Sequence, residues 1–492
     1  MKNARLMQGH LPQRLAAGLA AWLLSLSVVA AERPNLVLIL ADDLGWGDAR
    51  CYNPDSQIPT PALDRLAAEG LRFTDAHSPS AVCTPTRYGL LTGRYPWRSR
   101  LKSGVLWGYS PPLIEPDRAT LPSLLRSRGY RTACVGKWHL GLGWPTPERV
   151  DFGDRIEPAA DVSVIQYDQP LTAGPGTVGF SDSFIIPASL DMVPYVYLEN
   201  DRVVAPPTSQ IEGSRHQRQG GNGFYRPGPI ASGFTIEGVL PTLTAKAETF
   251  LRGQSAGQPF FLYFPLTAPH DPWVPTSDFR GRSQAGDYGD FVSQVDATVG
   301  RVLAVLEEQG LAGNTIVMVT SDNGSHWPPS DLERWKHRAN GPWRGMKSDV
   351  WEGGHRVPFW VRWPARVKPG TTSDTLICLT DVLATMAELA GVRLPAGAAE
   401  DSVSFARALR GGRGPRKQLV LHSINGVFAV RDGPWKLIEA RGSGGWSPGE
   451  VTEPMQLYRL DRDPAEQQNL AIENPTRVDR LRQILFGTRR GY

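Results

Sequence analysis

Four short apolar runs punctuate the chain, and each gives way to polar residues. NLVLIL (35–40) leads to Asp42 and Asp43, TACVG (132–136) to Lys137 and His139, PFFLYFPL (259–266) to His270 and Asp271, and NTIVMVTS (314–321) to Asp322 and Asn323. Unbroken apolar runs of this length predict strands buried on both faces, as in parallel sheets covered by helices. Between them, ALDRLAAEGLRF (62–73), TLPSLLRSRGY (120–130) and DFVSQVDATVGRVLAVLEEQG (290–310) space apolar residues three or four apart and predict helices. The last of these stops at Gly310, a helix-ending residue. Alternating strands and helices predict an α/β fold. Beyond the charged, glycine-rich RGGRGPRK (410–417), the stretch QLVLHSINGVFAVRDGPWKLIEA (418–440) alternates like hairpin strands. A main domain over 32–410 and a smaller C-terminal domain over 411–492 are therefore expected.

Ligands of open α/β sheets bind beyond the carboxyl ends of the strands, so the polar residues there form the candidate site. Taken singly, a DD or DNG is a turn signal; their joint placement at matching strand ends is what marks a site. Asp42, Asp43, Asp322 and Asn323 offer only oxygen, which suits a hard divalent cation, Ca²⁺ first and Mg²⁺ second. The chain has no zinc-type HExxH or CxxC pair. Arg87, Lys137 and Lys347 add positive charge, and a helix beginning near Pro85 adds N–H donors. Cations and a metal beside carboxylates describe a site for a small tetrahedral anion.

The opening residues narrow the compartment. Lys2, Arg5 and Arg14 precede an apolar run from Leu15 to Val29, and Ala30 and Ala31 follow. This is the layout of a secretory signal peptide over 1–31, shorter in its apolar part than the roughly 20 residues of a membrane span. Export to the periplasm or medium is expected, with no stable membrane insertion after cleavage. The net charge of +4 falls to +1 once those three cations are removed, so nothing points to nucleic acid. In an oxidising compartment four cysteines invite a disulfide reading. Cys134 and Cys378 lie in apolar runs and read as core thiols, whereas Cys51 and Cys83 are free to pair or not.

One stretch is more specific than any of this. CTPTR (83–87), followed by LLTGRYP, resembles the Cys-x-Pro-x-Arg signature of the type I sulfatases. RPNLVLILADDLGWGD, GKWHLG, TAPHDPW, TSDNG and GMKSDVWEGGHRVPF are similar to that family's other motifs, in the family's order, and LYRLDRDPAEQQNL resembles its C-terminal signature. The resemblance is closest to the arylsulfatase A and N-acetylgalactosamine-6-sulfatase branch. It implies an alkaline-phosphatase-like large mixed sheet between helices, with a smaller C-terminal α+β domain. It also implies that a maturation system converts Cys83 to Cα-formylglycine, whose hydrate is the nucleophile; covalent catalysis then splits one hard step into two. By resemblance, Asp42, Asp43, Asp322, Asn323 and the modified residue 83 bind Ca²⁺. Arg87 and Lys137 hold the hydrate, His139 takes a proton, and His270 and Lys347 contact the sulfate and protonate the leaving oxygen.

Two other classes fit parts of the pattern: a metal-dependent phosphohydrolase with Ser or Thr as nucleophile, and a glycan-binding protein without turnover. The cysteine signature and the full set of polar residues weigh against each. A sulfated carbohydrate is the favoured substrate, with aryl sulfates also accepted. Trp327, Trp335 and Trp343 could present aromatic faces to sugar rings, or equally pack as loop core. Asp191, Tyr195, Arg215 and His216, in the long segment 144–232, are candidates for the rest of the pocket wall.

Overall fold

Ten strands build the main sheet of this computed structural model, which describes Met1, residues 33–215 and residues 223–490. Apart from Met1, the expected leader lies outside the described residues, as do His216 and the side chain of Arg215. In chain order the strands are β1 (Asn35–Ala41), β2 (Leu71–Phe73), β3 (Arg131–Lys137), β4 (Asp182–Ile186), β5 (Leu198–Glu199), β6 (Arg202–Val203), β7 (Phe260–Pro265), β8 (Thr315–Ser321), β9 (Phe359–Arg362) and β10 (Thr371–Ser373). Across the sheet they run β10-β2-β9-β8-β1-β7-β3-β4-β5-β6. The central five, β8, β1, β7, β3 and β4, are mutually parallel. Antiparallel pairs flank them: β9 against β8 on one side, β5 against β4 on the other. Every residue of β1, β7 and β8 is buried, as unbroken apolar runs require of strands covered on both faces.

Helices supply that cover. α1 (Pro61–Glu69) packs with α5 (Gly286–Glu308), which also packs with α4 (Val239–Arg252). A second group joins α2 (Cys83–Thr92), α3 (Leu121–Arg126) and α6 (Asp381–Leu389). One expected helix is shorter than its pattern. The run 62–73 stays helical only to Glu69; after Gly70, Leu71–Phe73 turns away as β2 and pairs with β9 and β10. Its apolar residues satisfied the helical spacing, but sheet pairing took the last three.

The C-terminal hairpin pattern forms a four-stranded antiparallel meander, β11 (Gln418–His422), β12 (Phe428–Asp432), β13 (Trp435–Ile438) and β14 (Gln456–Arg459). Helix α7 (Pro475–Arg490) packs on β12 and β13 over a separate apolar cluster. The fold is thus α/β, a large mixed sheet with helices and a small antiparallel sheet, as the pattern and the resemblance led one to expect. All four cysteines are free thiols, so Cys51 and Cys83 are not paired.

Candidate active site

Because β8, β1, β7 and β3 are parallel neighbours, their carboxyl ends lie side by side. Pairing continues past the strands: Asp322 N–H donates to Ala41 O at 3.1 Å, and Asp42 N–H to Ala268 O at 3.0 Å. Asp42, Asp43, Asp322, Asn323, Lys137, His139 and His270 are thereby gathered at one edge, all buried. Two close approaches leave no room for a side chain. Gly136, just before Lys137, has φ of 139°, and a Cβ there would lie 1.8 Å from Pro265 O. A Cβ on Gly324, just after Asn323, would lie 1.8 Å from Gly353 O.

Helix α2 brings in the cysteine. All ten of its residues are buried, Cys83 is the first of them, and no side chain caps its first turn. Thr86 Oγ1 donates to Ser80 O at 3.0 Å, which fixes the turn that enters it. One helical turn on from Cys83, Arg87 donates from NH2 to Asp322 Oδ2 at 2.7 Å and from NH1 to Lys137 O at 3.0 Å. Lys137 Nζ donates to Asp42 Oδ2 at 2.6 Å, and Lys347 Nζ, from a loop, to Asp43 Oδ2 at 2.7 Å. His270 Nε2 lies 3.8 Å from Asp43 Oδ2. Ligand atoms of Asp42, Asp43 and Asp322 lie within 4.8 Å of one another, as do those of Asp42, Cys83 and His270. Every residue expected at the reaction centre is therefore in one buried cluster.

Its charges are tightly interlocked. Burial alone would raise the Asp42 carboxyl, but Lys137, His270, Arg87 and Lys347 outweigh it and hold it well below the usual range. Asp322 is pushed up to about 6, by burial first and then by the neighbouring Asp42, against the pull of Arg87 and Lys137. For Lys347, burial works against the charged form, yet Asp43 and its neighbours raise it above an ordinary lysine. Burial pushes the Cys83 thiol up, aided by Asp42 and Asp322 and opposed by Lys137 and Lys347. An unmodified thiol here stays protonated and is a weak nucleophile. His139 is held well below its usual value, by burial first and then by Lys137 and Arg87, and is neutral at pH 7. Its Nε2 meets Leu106 O at 2.8 Å, which makes Nε2 the N–H and leaves Nδ1, buried without a partner, as a free lone pair.

The oxygen set fits a hard cation on an observation independent of any motif. Asp42 Oδ1 and Asn323 Oδ1 are both buried and without a hydrogen-bond partner. Two buried oxygens without a hydrogen bond, one of them 3.4 Å from Arg87 NH2, in a three-carboxylate cluster are what a Ca²⁺ or Mg²⁺ would complete. A second group, His77, Glu352 and His355, is also close enough for a metal. There, however, Lys436 Nζ sits 3.0 Å from both Glu352 Oε1 and His355 Nε2, and His77 Nδ1 lies 3.0 Å from His355 Nδ1. Those lone pairs are already engaged, and the group is an ionic lock.

One further residue at the cluster has no sequence signature. Ser189 Oγ accepts from Lys137 Nζ at 3.1 Å and lies 3.4 Å from His270 Nδ1; a lone serine in a loop gave no signal. Of the proposed aromatic faces, Trp327 is buried among Trp273, Tyr288 and Trp335 and is core. Trp343 packs edge-on against Trp46 and under Arg356, and Trp335 lies tilted against Trp327 with Arg334 over its ring. Asp191 and Tyr195 are buried and both bond Arg226, Tyr195 donating from its hydroxyl to Arg226 O at 2.8 Å.

Comparison with known proteins agrees with this geometry. A sulfatase family model matches residues 34–392, and a model of the N-sulphoglucosamine sulphohydrolase C-terminal region matches 346–485. The chain is 35% identical to N-acetylgalactosamine-6-O-sulfatase of Bacteroides thetaiotaomicron, covering 92% of this chain and 93% of that protein. It is 34% identical to human arylsulfatase A, over 96% of this chain and 89% of that one. A solved structure from work on glycosaminoglycan metabolism by Bacteroides thetaiotaomicron superposes with a TM-score of 0.80 at 32% identity, covering 93% of this chain and 99% of the other. With a family match across most of its length and a buried cysteine set among carboxylates and cations at the strand ends, the chain belongs to the sulfatase family of sulfuric ester hydrolases.

Proposed function

We propose that the protein is an exported hydrolase of sulfated carbohydrates, working through a formylglycine made from Cys83 and a Ca²⁺ held by Asp42, Asp43, Asp322 and Asn323. The observation that carries this reading is the position of Cys83: buried at the start of α2, raised in pKa, and ringed by carboxylates and cations. Ca²⁺ supplies a Lewis acid that polarises sulfate oxygens. The formylglycine hydrate supplies an oxygen nucleophile where the thiol would remain protonated.

The chain's own residues do the rest. Arg87 and Lys137 hold charge beside residue 83 and fix the carboxylates through their hydrogen bonds. His139 presents an unprotonated Nδ1 and takes a proton there. His270 and Lys347, facing Asp43, contact the sulfate and protonate the leaving oxygen. A maturation system must meet the CTPTR segment before it is buried. Cleavage near Ala31 would deliver the protein to the periplasm or medium; among the described residues no helix is long and apolar enough to cross a membrane. A 35% identical relative named N-acetylgalactosamine-6-O-sulfatase supports a sulfated sugar as substrate.

Assaying matched sulfate and phosphate esters, with a panel of defined sulfated saccharides beside nitrophenyl sulfate, tests this directly. Sulfate esters are expected to be hydrolysed and at least one saccharide to exceed nitrophenyl sulfate in kcat/KM. Preference for the phosphate esters would point to a phosphohydrolase, and no product from either to a binding protein.

A further inference from the structure

We infer that Asp191 and Arg226 form a hydroxyl-recognition subsite beside the sulfate pocket, selecting sugar sulfates over aryl sulfates; this rests on the carbohydrate reading above. The segment that carries Asp191 borders the reaction centre, since Ser189, two residues earlier, bonds Lys137 and neighbours His270. Asp191 is buried. Its Oδ2 accepts from Arg226 NH1, whereas its Oδ1 is buried with no partner. Arg226 spends only its backbone N–H and NH1 on Asp191, so among the described residues its Nε and NH2 are open. The side chain is partly exposed, and its guanidinium carbon lies 4.8 Å from the Trp107 ring centre and 5.0 Å from that of Phe224.

Both neighbours tie Arg226 to catalytic loops. Trp107 follows Leu106, whose N–H donates to Thr84 Oγ1 at 3.2 Å and whose carbonyl holds His139. Phe224 follows Gly223, which packs so closely on Pro272 that a Cβ there would lie 2.4 Å from the proline ring, two residues past His270. Arg226 is thus held between the loop that fixes His139 and the loop that carries His270.

A buried carboxylate oxygen without a donor marks a place where a ligand donor completes the bonding. Beside it stands an arginine whose Nε and NH2 meet no acceptor among the described residues. A hydroxyl satisfies both at one oxygen, donating to Asp191 Oδ1 and accepting from Arg226. A second anionic group on the substrate fits less well, because Asp191 already compensates the guanidinium and would repel it. Trp107 adds an aromatic face of the kind that packs on a sugar ring.

The test compares a sulfated monosaccharide with its monodeoxy analogues, each ring hydroxyl removed in turn, in the wild type, Asp191→Asn and Arg226→Met. For one hydroxyl, removal should lower wild-type kcat/KM by roughly 10- to 100-fold, the worth of a hydrogen bond to a charged group. In both variants that ratio should collapse toward unity, because the parent sugar loses rate and the deoxy analogue loses little. Nitrophenyl sulfate, which lacks hydroxyls, should fall by a smaller factor than the parent sugar, which separates a lost contact from a damaged fold. If sugars are turned over but every deoxy ratio is the same in variants and wild type, the subsite is wrong and the carbohydrate reading stands. If no sulfated saccharide outperforms nitrophenyl sulfate, both are wrong.

Discussion

Two residues at the strand ends adopt backbone conformations that side chains other than glycine rarely take. Asp43 has φ of 68° and His139 has φ of 54°. Such residues cost of order 1–3 kcal/mol each and persist where the surroundings over-determine them. Here the surroundings are visible: Asp43 N–H donates to Asp322 Oδ1 at 3.2 Å, and His139 N–H to Pro187 O at 3.1 Å. The strain turns Asp43 toward Lys347 and His139 toward Leu106. His270 carries the sharpest prediction at this scale. If it protonates the leaving oxygen, His270→Ala should cost a sugar sulfate more kcat than a nitrophenyl sulfate, since nitrophenolate leaves well unaided. General-acid help of this kind is worth roughly 10²–10⁴-fold. Steady-state kinetics on both substrates checks it; equal kcat losses would transfer the role to Lys347.

At the scale of elements, the strands were legible in the sequence because their pattern has one physical cause. A parallel strand covered on both faces must be apolar throughout, and the next residue, at the sheet edge, is free to be polar. That rule found β1, β3, β7 and β8 together with the residues they deliver. It failed where two causes competed, as at Leu71–Phe73, whose residues satisfied both a helical stripe and a strand. It also could not find Ser189, which reaches Lys137 and His270 from an irregular loop whose course no periodicity encodes, nor Trp107 and Arg226 of the proposed subsite. The C-terminal strand β11 has a role that the pattern does not hint at. Ala81 N–H donates to His422 O at 3.1 Å, so the strand's end braces the turn just before Cys83. Burial lowers His422 to about 4, its bond to Ser423 O opposing the shift only in part. The folded state therefore binds the proton less readily than the unfolded chain. The stability this histidine contributes is full above about pH 6.5 and is lost as pH falls toward 4. Across that window the wild type should lose about 3 kcal/mol more than His422→Leu. Urea unfolding of both proteins at each end of the window measures the difference; parallel losses would remove His422 as the titrating group.

On the scale of the whole molecule, the small sheet is locked to the large one by buried charge. Lys436 Nζ of β13 lies 3.0 Å from Glu352 Oε1 and 2.9 Å from Glu466 Oε1. Arg431 of β12 and Arg356 both pair with Asp75, at 2.6 Å and 2.9 Å. Glu352 begins the short helix Glu352–His355, five residues past Lys347, so the lock also steadies the loop that carries Lys347. Removing one member of a buried network leaves its partners uncompensated, which typically costs about 3–5 kcal/mol. Lys436→Met should be destabilised by that order, and Lys436→Met combined with Glu466→Gln should recover part of it. Denaturant unfolding of the two variants decides this; a single variant as stable as the wild type would mean the network contributes specificity alone.

Residue 83 carries the proposed chemistry. The measurement that tests it is mass analysis of the tryptic peptide Phe73–Arg87, read together with sulfatase activity in the same preparations. Preparations from hosts with and without a maturation system should differ in the fraction of peptide that is lighter than its cysteine form and reactive to hydrazide. Turnover of the sulfate ester should rise in proportion to that fraction and vanish in Cys83→Ala. Full activity in protein whose residue 83 is entirely free thiol would contradict it.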